Sequence, residues 1–261
     1  MIATAPLIPR LLAQEIAYTA DRAGVIARHP GNPHGVATRR FGPIWACQVR
    51  GVPSPWLNRA IGLSDSAAAE VPALAAWFAE AGIEARYETT PDSAGPALAR
   101  ALAAIGTLPL SGDALVCGPG GGGTCPAGIE VAESEAAVDE FLEAHLAGLE
   151  LPAGIRPLAM DNMRGWRGQP GWRLLLARAG PAAAGTCVMF GEPGLTYIAD
   201  MATIPAHRGR GVQTRLLAAV HARHGPGGIV WARCQFLSQS HRNLRRAGLT
   251  TLCTTQFWQV P

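Results

Sequence analysis

The chain contains no lysine, so all 22 of its basic side chains other than histidine are arginine. That removes any Schiff-base or lysine general-base chemistry. It also excludes a Walker phosphate loop, which needs Lys-Ser/Thr after its last glycine. Six cysteines, Cys47, Cys117, Cys125, Cys187, Cys234 and Cys253, are scattered with no C-x-x-C pair and no histidine at ligand spacing. A zinc site and a disulfide framework are therefore not expected, and the thiols read as reduced and mostly buried. No apolar run approaches the ~20 residues a bilayer-spanning helix needs. Near the start of the sequence, Pro6, Pro9, Arg10 and Glu15 interrupt what would be the apolar core of a signal peptide. A soluble, cytoplasmic protein without a membrane partner is expected. The net charge is only +3 and no block of like charge stands out, so nucleic acid is not an expected partner.

What is present is a core-forming mixture, 48% hydrophobic and 16% charged over 261 residues, long enough for two domains. The most informative stretch runs from residue 195 to 219. A strand pattern leads through Pro205 into Arg208-Gly209-Arg210-Gly211, and Val212, Leu216, Leu217 and Val220 then fall on one helical stripe. Strand, glycine turn and helix start together leave several amide N–H groups pointing outward, a terminus that attracts phosphate. Three glycines over six positions, as a dinucleotide fingerprint requires, are absent.

Along the chain, the patterns predict a helix over residues 10–27, strands over 36–41 and 44–49, and a strand over 57–63. They predict a helix from Val71 to Phe78, a strand over 83–88 and a helix from Leu98 to Ile105. Further on come a strand at 129–132, a helix from Val138 to Leu149, and strands at 172–177 and 184–190. The strand at 195–203, a helix at 212–224, a strand at 229–237, a helix at 242–247 and a last strand at 249–258 complete the series. Helix, strand, helix, glycine and strand thus recur in both halves, which suggests an internal duplication. The N-terminal copy has Gly62-Leu63-Ser64-Asp65-Ser66 where the C-terminal copy has its Arg-Gly-Arg-Gly turn. The glycine-rich run at 119–127 reads as a linker, dividing the chain into domains at 1–118 and 128–261.

The segment Ala206-His207-Arg208-Gly209-Arg210-Gly211 resembles motif A of the GNAT superfamily of N-acetyltransferases, Q/R-x-x-G-x-G/A, with alanine at its first position. Residues 238–249 are similar to the family's later N-x-x-x-x-G-F segment, with Asn243, Gly248 and Leu249 in the matching places. The likeness extends from about Ile129 to the end. It implies an α/β (α+β) fold with a mixed, mostly antiparallel sheet flanked by helices, in two tandem GNAT-like domains of which the first is degenerate.

It further implies acetyl-CoA (coenzyme A) as cofactor, with the backbone of Met201, Ala202 and Thr203 along the pantetheine arm. Arg208, Gly209, Arg210, Gly211, Val212, Gln213 and Thr214 would surround the pyrophosphate. Asn243 would face the arm, or simply cap its helix. The implied reaction is direct attack of a small molecule's amine on the thioester. Such an attack needs a base to take a proton, and Asp200 is the first candidate, with Glu192 the alternative. Where many relatives carry a proton-donating tyrosine this chain has Leu244, and Tyr18, Tyr87 and Tyr197 match no such position. A non-catalytic acyl-CoA-binding or sensing protein is thus the alternative function. A monomer or homodimer fits either.

Overall fold

The computed structural model describes residues 7–119, 128–134, 138–224 and 227–260. Residues 120–127 of the expected linker, and Cys125 within it, lie outside the described residues. The chain divides into two compact units, one made of residues 1–114 with 252–261 and one of residues 115–251.

The first unit carries β1 (Val36–Phe41), β2 (Ile44–Val49), β3 (Arg59–Ile61), β4 (Arg86–Thr89), β5 (Leu108–Pro109) and β13 (Gln256–Gln259), in the order β1-β2-β3-β4-β13-β5. β3 and β4 run parallel, Arg59 facing Arg86, whereas β1–β2, β2–β3, β4–β13 and β13–β5 pair antiparallel. Alternation along β2 explains how both faces of the sheet are buried. Trp45, Cys47 and Val49 pack with Ala23 and Ile26 of α1 (Leu7–Ala27), while Ile44 and Ala46 pack with Leu74 and Phe78 of α2 (Val71–Glu80) and Leu98 and Leu102 of α3 (Pro96–Ala104). Pro72 sits at the start of α2 and Pro96 at the start of α3, positions where a missing N–H costs nothing.

The second sheet runs β12-β6-β11-β10-β9-β8-β7. Its members are β6 (Asp113–Pro119), β7 (Ile129–Glu133), β8 (Trp172–Ala179), β9 (Ala182–Glu192), β10 (Leu195–Thr203), β11 (Ile229–Gln235) and β12 (Thr250–Thr254). β7 through β10 form an antiparallel series, and β10 and β11 run parallel. α4 (Val138–Gly148) and α6 (Val212–His224) lie on opposite faces: Thr186 bonds His145 of α4, whereas its neighbour Gly185 is closed over by Val212 of α6. α5 (Arg156–Arg164) is a helix the pattern did not disclose, since Arg156, Asp161, Asn162 and Arg164 leave it little apolar stripe. α7 (Gln239–Arg246) begins three residues earlier than its apolar spacing suggested, because Ser238 caps it by accepting the His241 N–H at 3.1 Å.

The two sheets share one plan, β1-β2-β3-β4-β13-β5 against β8-β9-β10-β11-β6-β12. The expected strand over 249–258 is in fact two, β12 and β13, separated at Thr255. β13 lies in the first sheet, and β6, from the N-terminal half of the chain, lies in the second. The sequence-based division at 118 and 128 therefore differs from the observed units, whose boundaries fall inside β6 and β12. Sequence order cannot disclose this, because strand pairing is a non-local choice.

Candidate active site

β10 and β11 pair in parallel over four residues, Leu195 with Ile229 through Ile198 with Ala232, and then part. The stacked rings of Tyr197 and Trp231, 4.1 Å apart and 14° from parallel, lie at facing positions just before the parting. The β9–β10 register shifts between Ile198 and Asp200, which places a bulge at Ala199. Bulges bend a strand and re-aim its side chains. Beyond it, Asp200 to Thr203 remain paired with β9, Met201 facing Cys187 and Thr203 facing Gly185. Their other edge faces a cavity of about 280 Å³ lined by Ala199, Asp200, Met201, Gln213, Cys234 and Ser240, among others. A strand edge beyond the last residue paired with its neighbour is suited to an extended ligand rich in peptide-like groups.

The chain leaves β10 through a short 3-10 turn (Pro205–His207) and reaches α6 by way of Gly209 and Gly211, whose φ values are +76° and +78°. This left-handed backbone is what a residue without Cβ supplies cheaply. A Cβ built on Gly209 meets nothing within 4 Å, so the space above the turn is open. Arg215 donates its N–H to the Gly211 carbonyl. Among the described residues, the amides of Gly209 to Thr214 donate to no recorded acceptor, and the positive end of the α6 dipole adds to them. These are the features by which a helix start holds phosphate.

The side chains expected at this loop divide into two groups. Arg208 is tied to the Glu150 carboxylate and reaches the Gly148 carbonyl at 3.4 Å. Arg210 is exposed and forms no recorded hydrogen bond or ion pair. Thr214 is exposed at the helix start and Val212 is buried beneath it. Gln213 joins α6 to α7: its Nε2 donates to Ser240 Oγ at 3.3 Å, and its Oε1 accepts from Asn243 Nδ2. Asn243 Oδ1 also accepts from Gln239 at 2.8 Å and Arg246 at 3.1 Å. Asn243 is thus a brace between the two helices, and it is not among the side chains lining the cavity.

Asp200 lines this cavity, whereas Glu192 lines another of about 330 Å³ with Trp172, Arg173, Thr196 and His224. The structure does not bring the two carboxylates to one cavity. Cys187, paired in register with Met201, is fully buried, and burial followed by the Asp200 charge pushes its thiol well above the ordinary range. It is an inert core thiol. Sequence reasoning placed Gln213 at the pyrophosphate and did not single out Ser240; the bond between their side chains depends on the packing of α6 against α7. Leu244, 2% exposed, is among the residues lining the cavity, so an aliphatic side chain stands at the position where the family resemblance implied a tyrosine.

The loop of the first unit is built differently. Asp65 accepts the Leu98 N–H at 2.9 Å at the start of α3, and Gly62 is the only glycine between β3 and α2. A carboxylate there opposes an anion.

Residues 139–244 match the acetyltransferase (GNAT) family model. A GCN5-related N-acetyltransferase from Kribbella flavida is similar in structure, with a TM-score of 0.63, 18% identity and 95% of both chains covered. A tandem GNAT protein from the clavulanic acid biosynthesis pathway, determined without AcCoA, gives a TM-score of 0.63 at 16% identity, covering 95% of this chain and 96% of that one. A GCN5-related N-acetyltransferase from Sphaerobacter thermophilus gives 0.57 at 16% identity, covering 97% and 90%. At these identities the likeness is one of fold. A comparison with curated proteins found no match.

Proposed function

From a chain whose residues 139–244 form a GNAT-family acetyltransferase domain, we propose an acetyl-CoA-dependent N-acetyltransferase that acts on the amine of a small molecule. The observation that carries this reading is the parting of β10 from β11 directly before a glycine turn and a helix start with open amides. The amides of Gly209 to Thr214 would hold the pyrophosphate with Arg210 adding charge, and the free edge of Met201 to Thr203 would pair with the arm. When bound, acetyl-CoA supplies an activated acyl thioester.

The chain's own residues then have separate tasks. Asp200 takes a proton from the ammonium, directly or through water, so that the neutral amine can attack. Ser240 accepts a hydrogen bond from Gln213, so its own O–H would be placed to donate a hydrogen bond to the departing sulfur, whose proton would come from the attacking nitrogen. Ser238 is already engaged as the α7 cap. The bulge at Ala199 explains why the acid stands where the strands separate, with Met201 and Leu244 as apolar neighbours in a lining that also carries polar side chains.

A non-catalytic acyl-CoA-binding role is the second reading. It is favoured by one observation, that no tyrosine lines the cavity. Thiol release from acetyl-CoA over a panel of amines separates the two. Turnover with at least one amine, falling on the order of 100-fold in Asp200→Asn with cofactor affinity retained, is the expected result. Calorimetric binding without turnover on any amine would favour the sensor, and an unchanged rate in Asp200→Asn would remove the base assignment.

A further inference from the structure

The segment between β11 and α7 presents two large apolar side chains to solvent, Phe236 at 46% and Leu237 at 64% exposure. Their sequence neighbours Gln235 and Ser238 both line the cavity where β10 and β11 part. Leu237 has φ of +60°, a left-handed conformation sparsely populated by side chains other than glycine and asparagine. Such a conformation persists only where the surroundings impose it.

The surroundings here are two residues of α7. Leu237 donates its N–H to His241 Nδ1 at 3.3 Å, and its carbonyl accepts from Arg242 at 2.7 Å. His241 is 2% exposed and its Nε2 pairs with the Thr251 hydroxyl at 2.9 Å, so its ring is fixed at both nitrogens. The Phe236 ring lies 5.2 Å from the His241 ring, which fixes the neighbouring side chain as well. With nearly half of Phe236 and most of Leu237 in solvent, and Leu237 on a held, unfavourable backbone, these side chains do little for the core. They are what a preorganised contact surface requires.

The charge of the cavity narrows what that surface receives. Its lining has one carboxylate, Asp200, and one guanidinium, Arg233, so it offers no surplus of negative charge to a polycation. We propose that Phe236 and Leu237 form the apolar lip of the acceptor site, and that the acceptor is a monoamine with an apolar or aromatic body. This rests on the acetyltransferase reading and specifies its substrate class.

The test is steady-state thiol release with 2-phenylethylamine, ethanolamine and spermidine, run on the full chain and on Phe236→Ala and Leu237→Gly, alongside calorimetry with acetyl-CoA. Glycine tolerates the backbone at 237, and Phe236 is exposed, so both variants should fold. The wild type should prefer 2-phenylethylamine over ethanolamine by about tenfold or more in kcat/KM. Each variant should raise the KM for 2-phenylethylamine about tenfold while the affinity for acetyl-CoA holds. Preference for spermidine, or an unchanged KM in both variants, would overturn the proposal while leaving the acetyltransferase reading intact. Absence of acetyl-CoA binding by the wild type would overturn that reading and this one with it.

Discussion

Two buried polar residues show how single side chains set the limits of this fold. Arg59 on β3 is 3% exposed and bonds Glu15 of α1 at 2.8 Å and the Thr19 hydroxyl at 2.7 Å, with Glu88 of β4 at 3.6 Å. Removing the arginine leaves two buried carboxylates without it. Arg59→Met should therefore cost about 3–5 kcal/mol in urea unfolding, and a loss under about 1 kcal/mol would contradict the account. His221 on α6 is held below the ordinary histidine value, first by burial and then by the neighbouring His224. Below its unfolded value of 6.5 the unfolded chain takes up a proton that the folded chain resists. Its contribution is thus fully present above that pH and is lost as pH falls toward the folded value. His221→Gln should flatten the decline in stability between pH 7.5 and roughly pH 5.5, and parallel declines in the two proteins would refute this.

At the scale of elements, the chemistry of turns accounts for most of what the sequence disclosed. The β1 and β2 ranges and the span of α6 were legible to the residue, because alternation and helical stripe were bounded there by glycine. α5 was not, since its residues carry no stripe, and the break between β12 and β13 was not, since Thr255 resembles any strand threonine. Its role is fixed by distant partners: its amide donates to the Asp113 carbonyl at 2.8 Å, and its hydroxyl accepts from the Asp113 amide at 3.3 Å. Gly112 is the matching local requirement, because a Cβ there would lie 1.8 Å from the Thr255 carbonyl oxygen. That oxygen is backbone and cannot turn aside. Gly112→Ala should cost roughly 1–3 kcal/mol by the overpacking this forces, measured by thermal and urea unfolding, and wild-type stability would show that the crossing is loose.

For the whole molecule, the repeat and the glycine turn before α6 were readable in the order of elements, while the membership of the sheets was not. The β6 and β13 sequences announce strands, but nothing local says which sheet each joins. The same limit applies to the site. Arg208 to Gly211 announced a turn with left-handed glycines at 209 and 211, because glycine spacing is a local signal. That Asp200 and Glu192 line different cavities, and that Asn243 braces Gln213, depends on packing that spacing cannot express. The two units also differ where their plans coincide, with an open glycine turn in the second and Asp65 committed to a helix start in the first. On the proposed function, one cofactor per chain is the expected stoichiometry.

Calorimetric titration of the full chain with acetyl-CoA, repeated on Gly209→Val, tests this most directly. A side chain at 209 would sit on left-handed backbone and fill the open space above the turn. The account predicts one site per chain in the wild type and no measurable binding in the variant, with cooperative unfolding in both. No heat with the wild type, two equivalent sites, or unchanged affinity in Gly209→Val would contradict it.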